Sequence, residues 1–198
     1  EKEYRDYLTR AYNRRGFVYM VERFLNHCED RTRYGILYFN IKNFKATNEL
    51  LGVKEGDCIL QSFCKSIERS FLHPVYTARV EADHFVSFVE RDRISLKKLE
   101  EFCNQTFEIY NKKIRVHSCC GIFYLKDENM PVAGMVDRAK LAKQHIVDEY
   151  LKPYAVFDQK MEMEYIDKAE IAAAFEEAII NEELEVYYQP IVDPVTGR

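Results

Sequence analysis

Apolar runs of strand length alternate along this chain with amphipathic stretches of helical spacing. Phe17, Met20, Val21, Phe24 and Leu25 recur at helical intervals, and Asn13 stands four residues ahead of Phe17, where a cap belongs. The spacing predicts a helix within 4–28. Residues 34–39 (YGILYF) are continuously apolar and aromatic, the pattern of a central strand buried on both faces. Ile59, Leu60, Phe63, Cys64 and Ile67 supply the core stripe of a second helix over 55–71, closed by Pro74. Residues 75–80 and 84–89 read as a β-hairpin around Glu81, Ala82 and Asp83. A helix over 95–105, a long strand over 114–125, a helix over 131–151 opened by Pro131 and a short strand over 154–157 follow. This order predicts an α+β sandwich in which helices cover a central, largely antiparallel sheet.

After Asp158 the pattern changes. A linker helix, strongest over 169–180, leads to a strand-like run at 184–192 (LEVYYQPIV) with no later partner in the sequence. The expected division is a first domain over 1–158, then a linker helix and the start of a truncated second domain over 159–198. The chain opens at Glu1 without Met, so a piece excised from a longer protein is expected.

Composition narrows the function classes. Lys and Arg number 29 against 33 Asp and Glu, a net charge of −4 over 198 residues, and the basic residues are scattered. That excludes the basic stripe a nucleic-acid polymer requires, while leaving room for a single nucleotide in a pocket. With 47% hydrophobic residues and only 7 Gly and 5 Pro, the chain has the makings of a packed core. No window holds 18 uninterrupted apolar residues, and the first residues lack a signal peptide's apolar region. A cytoplasmic domain without membrane contact of its own is expected, in a parent that a membrane could tether. The six cysteines form no C-x-x-C pair or regular framework and read as reduced, packed thiols. His117, Cys119 and Cys120 lie on one strand, where neighbours point to opposite faces, so a shared metal is disfavoured. His84, His117 and Cys120 lack an orienting motif, which argues against a Cys or His nucleophile.

The informative stretch is 40–57 (NIKNFKATNELLGVKEGD), polar groups clustered after the buried strand and before a helix, a common place for ligand sites. The hairpin turn supplies a second polar corner. Residues 6–17 (DYLTRAYNRRGF) are similar to the D-x-L-T-G-L-x-N-R-R-x-F opening of GGDEF domains, the diguanylate cyclase family. Residues 40–57 resemble that family's D-x-D-x-F-K-x-x-N-D-x-x-G-H-x-x-G-D, and Arg79 to Phe85 (RVEADHF) stands where R-x-G-G-D/E-E-F belongs. Three blocks in order make the match specific over about residues 4–158. The resemblance implies the nucleotidyl cyclase-like palm fold, and one GTP on each of two protomers. It also implies two divalent ions held by the first Asp of D-x-D and an acidic residue of the signature. Tyr188, Gln189, Pro190, Asp193 and Gly197 are similar to the opening of an EAL domain, the cyclic di-GMP phosphodiesterase family, but without its E-A-L signature or metal cluster.

Departures from the pattern set the expected chemistry. Asn40 replaces the first metal-binding Asp, so a neutral amide stands where a charge would face magnesium. Unit charges about 4 Å apart interact by roughly 4 kcal/mol at an effective dielectric of about 20, and a divalent ion doubles this. Glu81 and Ala82 replace two glycines, and His84 replaces an acid although magnesium prefers oxygen. Asp83 remains as the metal carboxylate. Lys143 falls one residue short of a phosphate-contacting Lys, Asp148 stands where an Arg is expected, and Leu72 and Val75 occupy the R-x-x-D product-inhibition motif. The resemblance assigns Phe44, Lys45, Asn48 and Asp57 to nucleotide binding, with Asn48 and Asp57 reading guanine and Lys45 touching phosphate. The structural alternative is that Asn48 caps a helix turn and Asp57 sits in a first helical turn.

The expected function is a cyclase-inactive GGDEF-like module that binds GTP, with magnesium weak or absent, and controls its own downstream EAL domain. The alternative is a dimerisation or interaction scaffold with an empty pocket. A residually active cyclase would need Glu81 and Asp83 as substitute ligands.

Overall fold

The computed structural model describes residues 2–181 and 187. The strand expected over 184–192, and the EAL-like residues at 188–197, lie outside the described residues apart from Tyr187. Two compact units are present, Glu1–Met161 and Glu162–Arg198.

The first unit is built around β1 (Tyr34–Ile41), whose unbroken apolar run is buried on both faces as its sequence requires. The helix expected in the first segment is shorter than its periodicity suggested. It begins at Arg14 as α1 (Arg14–Leu25), with the Asn13 side chain accepting from the Gly16 N–H at 2.9 Å. Residues 5–12 instead loop back, with Arg5 bridged to Tyr12 and Tyr12 to Ala78. The 40–57 segment folds into two helices, α2 (Phe44–Leu51) and α3 (Val53–Glu68), hinged at Gly52 with φ 103°. Next come the expected hairpin, β2 (Tyr76–Glu81) and β3 (His84–Glu90), and α4 (Leu96–Phe102). The helix expected to reach residue 105 ends at Phe102, and Asn104 opens an unexpected strand, β4 (Asn104–Ile109). Then follow β5 (Lys112–Tyr124), α5 (Val132–Gln144), β6 (Tyr154–Val156) and α6 (Gln159–Ile180). α5 stops seven residues before the end expected for it.

The sheet runs β2-β3-β1-β5-β4 with antiparallel neighbours, and β6 pairs in parallel with β5. Alternation along β1 divides the core. Leu37, Phe39 and Ile41 pack with Phe63 of α3 and Phe85, while Ile36 and Tyr38 pack with Phe17 of α1 and Val136 and Ala139 of α5. Gly121 of β5 fixes how closely α5 approaches. A Cβ there would lie 1.9 Å from the Ala139 carbonyl oxygen and 2.9 Å from the Lys143 Cβ, so only glycine admits the helix at this distance.

Candidate functional site

The ends of β1 and β3 bring three of the singled-out residues together. Asn40 pairs with His84 across β1 and β3 and with Cys119 across β1 and β5. The Asn40 amide donates to Asp83 Oδ2 at 2.8 Å and lies 3.4 Å from His84 Nε2, which is itself 3.7 Å from Asp83 Oδ1. Asp83 is thus held by an internal donor where the resemblance implies a cation. Burial pushes the His84 pKa below its ordinary value; Asp83 opposes this, and Lys143 and Lys140 reinforce it. His84 Nδ1 is buried with no hydrogen-bond partner.

The turn itself adapts to its missing glycines. Ala82 takes φ 35°, in the left-handed region, at a cost of roughly 1 kcal/mol for a residue with a Cβ. Arg79 Nε donates to the Ala82 carbonyl at 2.6 Å, and Arg79 Nη1 approaches Asp6 at 3.4 Å. Asp6 also accepts from the Thr9 N–H and hydroxyl, both at 2.8 Å. These bonds and Arg79 hold its pKa low against the opposing effect of burial, which is the largest single influence. The opening motif and the signature turn are therefore tied by one largely buried ion pair. Glu81 points its carboxylate at Lys140, 3.1 Å away, and accepts from the Tyr38 hydroxyl at 3.4 Å. The Lys140 bond lowers the Glu81 pKa.

The second cluster sits on the α2–α3 elbow. Asn43 adopts φ 54° and starts α2, which carries a half-buried Phe44, an exposed Lys45 and a half-buried Asn48. Gly56 of α3 leaves space for both Phe44 and Asn48: a Cβ there would lie 1.8 Å from Asn48 Oδ1. That oxygen is buried and has no hydrogen-bond partner. Asn48 is in mid-helix, and α3 has Gly52 at its N-cap with no side-chain capping bond, so the capping role considered for Asn48 is not seen. Asp57, the fifth residue of α3, is half-buried beside Gly56.

Other residues weighed from the sequence have structural places. Asp148 caps a turn, accepting from the Tyr150 and Leu151 N–H groups at 3.0 and 2.9 Å. Leu72 is fully buried, and Val75 lies at the surface. The six cysteines are free, and burial pushes the thiols of Cys64 and Cys103 up to about 12 and Cys119 up to about 11. Sequence reasoning missed Lys42, Lys140 and Glu149. Lys42 stands at the second acidic position of the D-x-D block and pairs with Glu149 at 2.5 Å. The signal for Lys42 was present in that motif, whereas Lys140 and Glu149 join the site only through the packing of α5 and the segment after it.

These residues do not fit a magnesium site. Among the described residues no group of three or more His, Cys, Asp or Glu side chains is arranged to hold a metal. Asp83 accepts from an amide, position 42 is a cation, and magnesium prefers oxygen donors.

A helix-flanked antiparallel sheet with its polar corner at the β1 and β3 ends defines the class of cyclase-like α+β domains. Residues 3–145 match the family described as "Diguanylate cyclase, GGDEF domain", and the chain belongs to that family. Among curated relatives it is similar to the bifunctional diguanylate cyclase/cyclic di-GMP phosphodiesterase MucR of Pseudomonas aeruginosa. The two are 24% identical over 193 residues, covering 94% of this chain and 28% of MucR. The cyclic di-GMP phosphodiesterase PdeR of Escherichia coli is 22% identical over 192 residues, covering 93% of this chain and 29% of PdeR. The chain thus spans under a third of the length of these relatives. Its fold is similar to the GGDEF domain of TpbB, also called YfiN, from Pseudomonas aeruginosa. That match has a TM-score of 0.66 at 19% identity, over 80% of this chain and 97% of the other. The GGDEF domain of DgcB from Caulobacter crescentus, in complex with c-di-GMP, matches with a TM-score of 0.63 at 19% identity, over 79% of this chain and 94% of that one.

Proposed function

We propose that this GGDEF domain serves cyclic di-GMP signalling as a guanine-nucleotide-binding regulatory module without cyclase activity. The observation that carries nucleotide binding is the buried, unpartnered Asn48 Oδ1 beside Gly56 and Asp57. A buried acceptor without a donor costs about 1–3 kcal/mol, and a ligand that donates to it recovers that energy. Guanine presents N–H donors on its Watson–Crick edge; an acceptor amide and a carboxylate suit them. Adenine lacks that arrangement, so GTP is the favoured ligand.

Loss of cyclase activity rests on the first metal position. Asn40 brings no charge to the first metal position, its amide engages Asp83, and the Glu81 carboxylate is turned to Lys140, so no carboxylate here stands unengaged for a divalent ion. Each 1.4 kcal/mol of lost transition-state stabilisation is about tenfold in rate. Control of a phosphodiesterase domain is supported by the similarity of the chain to MucR, which is named for both activities. Binding can act on such a partner only through a differential effect on two arrangements of the segment that follows, α6 included.

The test is calorimetric titration with GTP and with ATP, repeated on Asn48→Ala and Asp57→Ala. Saturable GTP binding, at least about tenfold tighter than ATP and weakened about tenfold by either substitution, is expected. Absence of GTP binding would favour the scaffold reading. That second reading draws on the internal pairing of Asp83 with Asn40, which engages the Asp83 carboxylate without a ligand.

A further inference from the structure

We propose that the cleft between the opening loop, residues 4–12, and the face of α1 carrying Tyr19 and Arg23 is a docking surface for an acidic polypeptide segment of a partner protein. Arg5, Arg10 and Arg23 supply the charge, and exposed tyrosine rings lie between them. The surface uses neither the α2–α3 elbow nor the β1–β3 corner, so it is independent of the nucleotide reading.

The sequence already sets this region apart. All seven cations between residues 3 and 41 are arginine, whereas lysine outnumbers arginine in the rest of the chain. Tyr4, Tyr7, Tyr12 and Tyr19 fall in the same stretch. Arginine and tyrosine are enriched at protein interfaces and their hot spots, and lysine is depleted there. A planar guanidinium grips a carboxylate through two parallel bonds, which a lysine ammonium cannot do.

The fold presents these side chains on a preformed surface. The Asp6 N–H donates to the Ala11 carbonyl at 2.9 Å and the Arg10 N–H to the Asp6 carbonyl at 3.0 Å, with Arg10 at φ 67°. The loop is closed by its own bonds, which lowers the ordering cost of docking. The Tyr4 and Tyr19 rings stack with centroids 5.2 Å apart, and the Arg5 guanidinium lies 3.8 Å from the centre of the Tyr12 ring. Together they line a cleft of about 790 Å³. Tyr7 stands at its rim, 80% exposed, as an aromatic anchor without a place in the core.

The charge balance selects the partner. No acid lines this cleft, and Arg5, Arg10 and Arg23 are exposed. Among the described residues none of the three joins an ion pair. The nearby acids are engaged elsewhere: Glu3 with Arg15, Asp6 with Arg79 and Asp137 with Arg14. Glu22 lines the cleft beyond Tyr4 and Tyr19, and Glu29 and Asp30 line the one beyond Arg23. Across the three adjoining clefts six arginines face these three acids. Exposed guanidinium groups spaced by rings suit a run of carboxylates with interleaved aromatic residues. A single compact anion would need donors converging on one buried point. A nucleic-acid polymer is disfavoured by the net charge of −4.

The test is fluorescence anisotropy of a labelled glutamate–tyrosine copolymer titrated with the 198-residue chain at about 0.15 M salt, where weak long-range attraction is screened. Saturable binding is expected, weakened at least about tenfold by the combined variant Arg5→Gln, Arg10→Gln, Arg23→Gln and about threefold by Tyr7→Ser. The corresponding triple substitution to Lys should recover only part of the loss, since charge returns without the guanidinium fork. Removing three exposed cations elsewhere, with Lys97→Gln, Lys112→Gln and Lys113→Gln, should leave binding unchanged. Melting curves establish that all variants are folded. Absence of saturable binding, or binding indifferent to the arginine variant, overturns the proposal. Equal losses in the lysine variant, or displacement of the copolymer by equimolar inorganic tripolyphosphate, also overturn it, by showing a generic response to charge or a small-anion site.

Discussion

The α2–α3 elbow and the β1–β3 corner both enter the proposed nucleotide site, yet they differ in how far their amides and carboxylates are paired internally, although each also holds one buried unpartnered atom, Asn48 Oδ1 and His84 Nδ1. At the elbow, Asn48 Oδ1 is buried and unpartnered, with space kept for it by Gly56. At the corner, Asn40 donates to Asp83, Lys140 reaches Glu81, and Lys42 pairs with Glu149. Unsatisfied buried polar groups are rare in native proteins, and each calls for a cause. On the proposed reading the elbow offers an acceptor that a base would complete, while at the corner the Asn40 amide already engages Asp83. The proposed function requires ligand recognition and metal-dependent turnover to separate, and different elements carry the residues proposed for each.

Substitutions can break this contrast, and the largest effect falls on the support both regions share. Phe39→Ala, in the fully buried strand leading to the corner, should destabilise the domain by about 3–5 kcal/mol in chemical denaturation. Gly121→Ala should cost about 1–3 kcal/mol in chemical denaturation through forced displacement of α5. Asn40→Asp places two carboxylates side by side in place of a 2.8 Å hydrogen bond. A loss of about 1–3 kcal/mol is expected in EDTA, partly recovered by magnesium, whereas the unsubstituted chain should show no magnesium-dependent shift in melting temperature.

The pH response sharpens the same contrast. Because burial lowers the His84 pKa in the folded state, the unfolded chain binds the extra proton more readily. Its stabilising contribution is present above the ordinary value of 6.5 and is lost as pH falls through the lowered folded value. Denaturation midpoints of His84→Gln should therefore fall less steeply with acidification over that window than those of the unsubstituted chain. Asp6, lowered from 3.8, gives the same sign at more acidic pH. The smallest effect is at the turn: Ala82→Gly should raise stability by about 0.5–1 kcal/mol, because glycine relieves the left-handed strain at φ 35° but loosens the unfolded chain.

Much of the fold was legible because its central elements are strongly patterned. The run at 34–39 and the stripe from Ile59 to Ile67 gave β1 and α3 directly. β4 was not legible: it is an edge strand in which only Phe107 and Ile109 alternate with polar residues, and the preceding helical spacing ran into it. α2 escaped because it is short and none of its residues is fully buried. At the site, replacements at 40 and 81–84 could be read from motif spacing. The pairing of Lys140 with Glu81 could not, since it depends on how closely α5 packs on β5 at Gly121, far away in sequence. Lys143 is one position out of register in the motif, and only the structure places its Cβ against Gly121.

The central claim is that recognition of guanine nucleotide persists while cyclisation does not. Incubating the purified chain with radiolabelled GTP and magnesium, then separating bound and free nucleotide by chromatography, tests it most directly. The account predicts saturable, protein-bound label recovered as unchanged GTP; accumulation of cyclic di-GMP over repeated turnovers would contradict it.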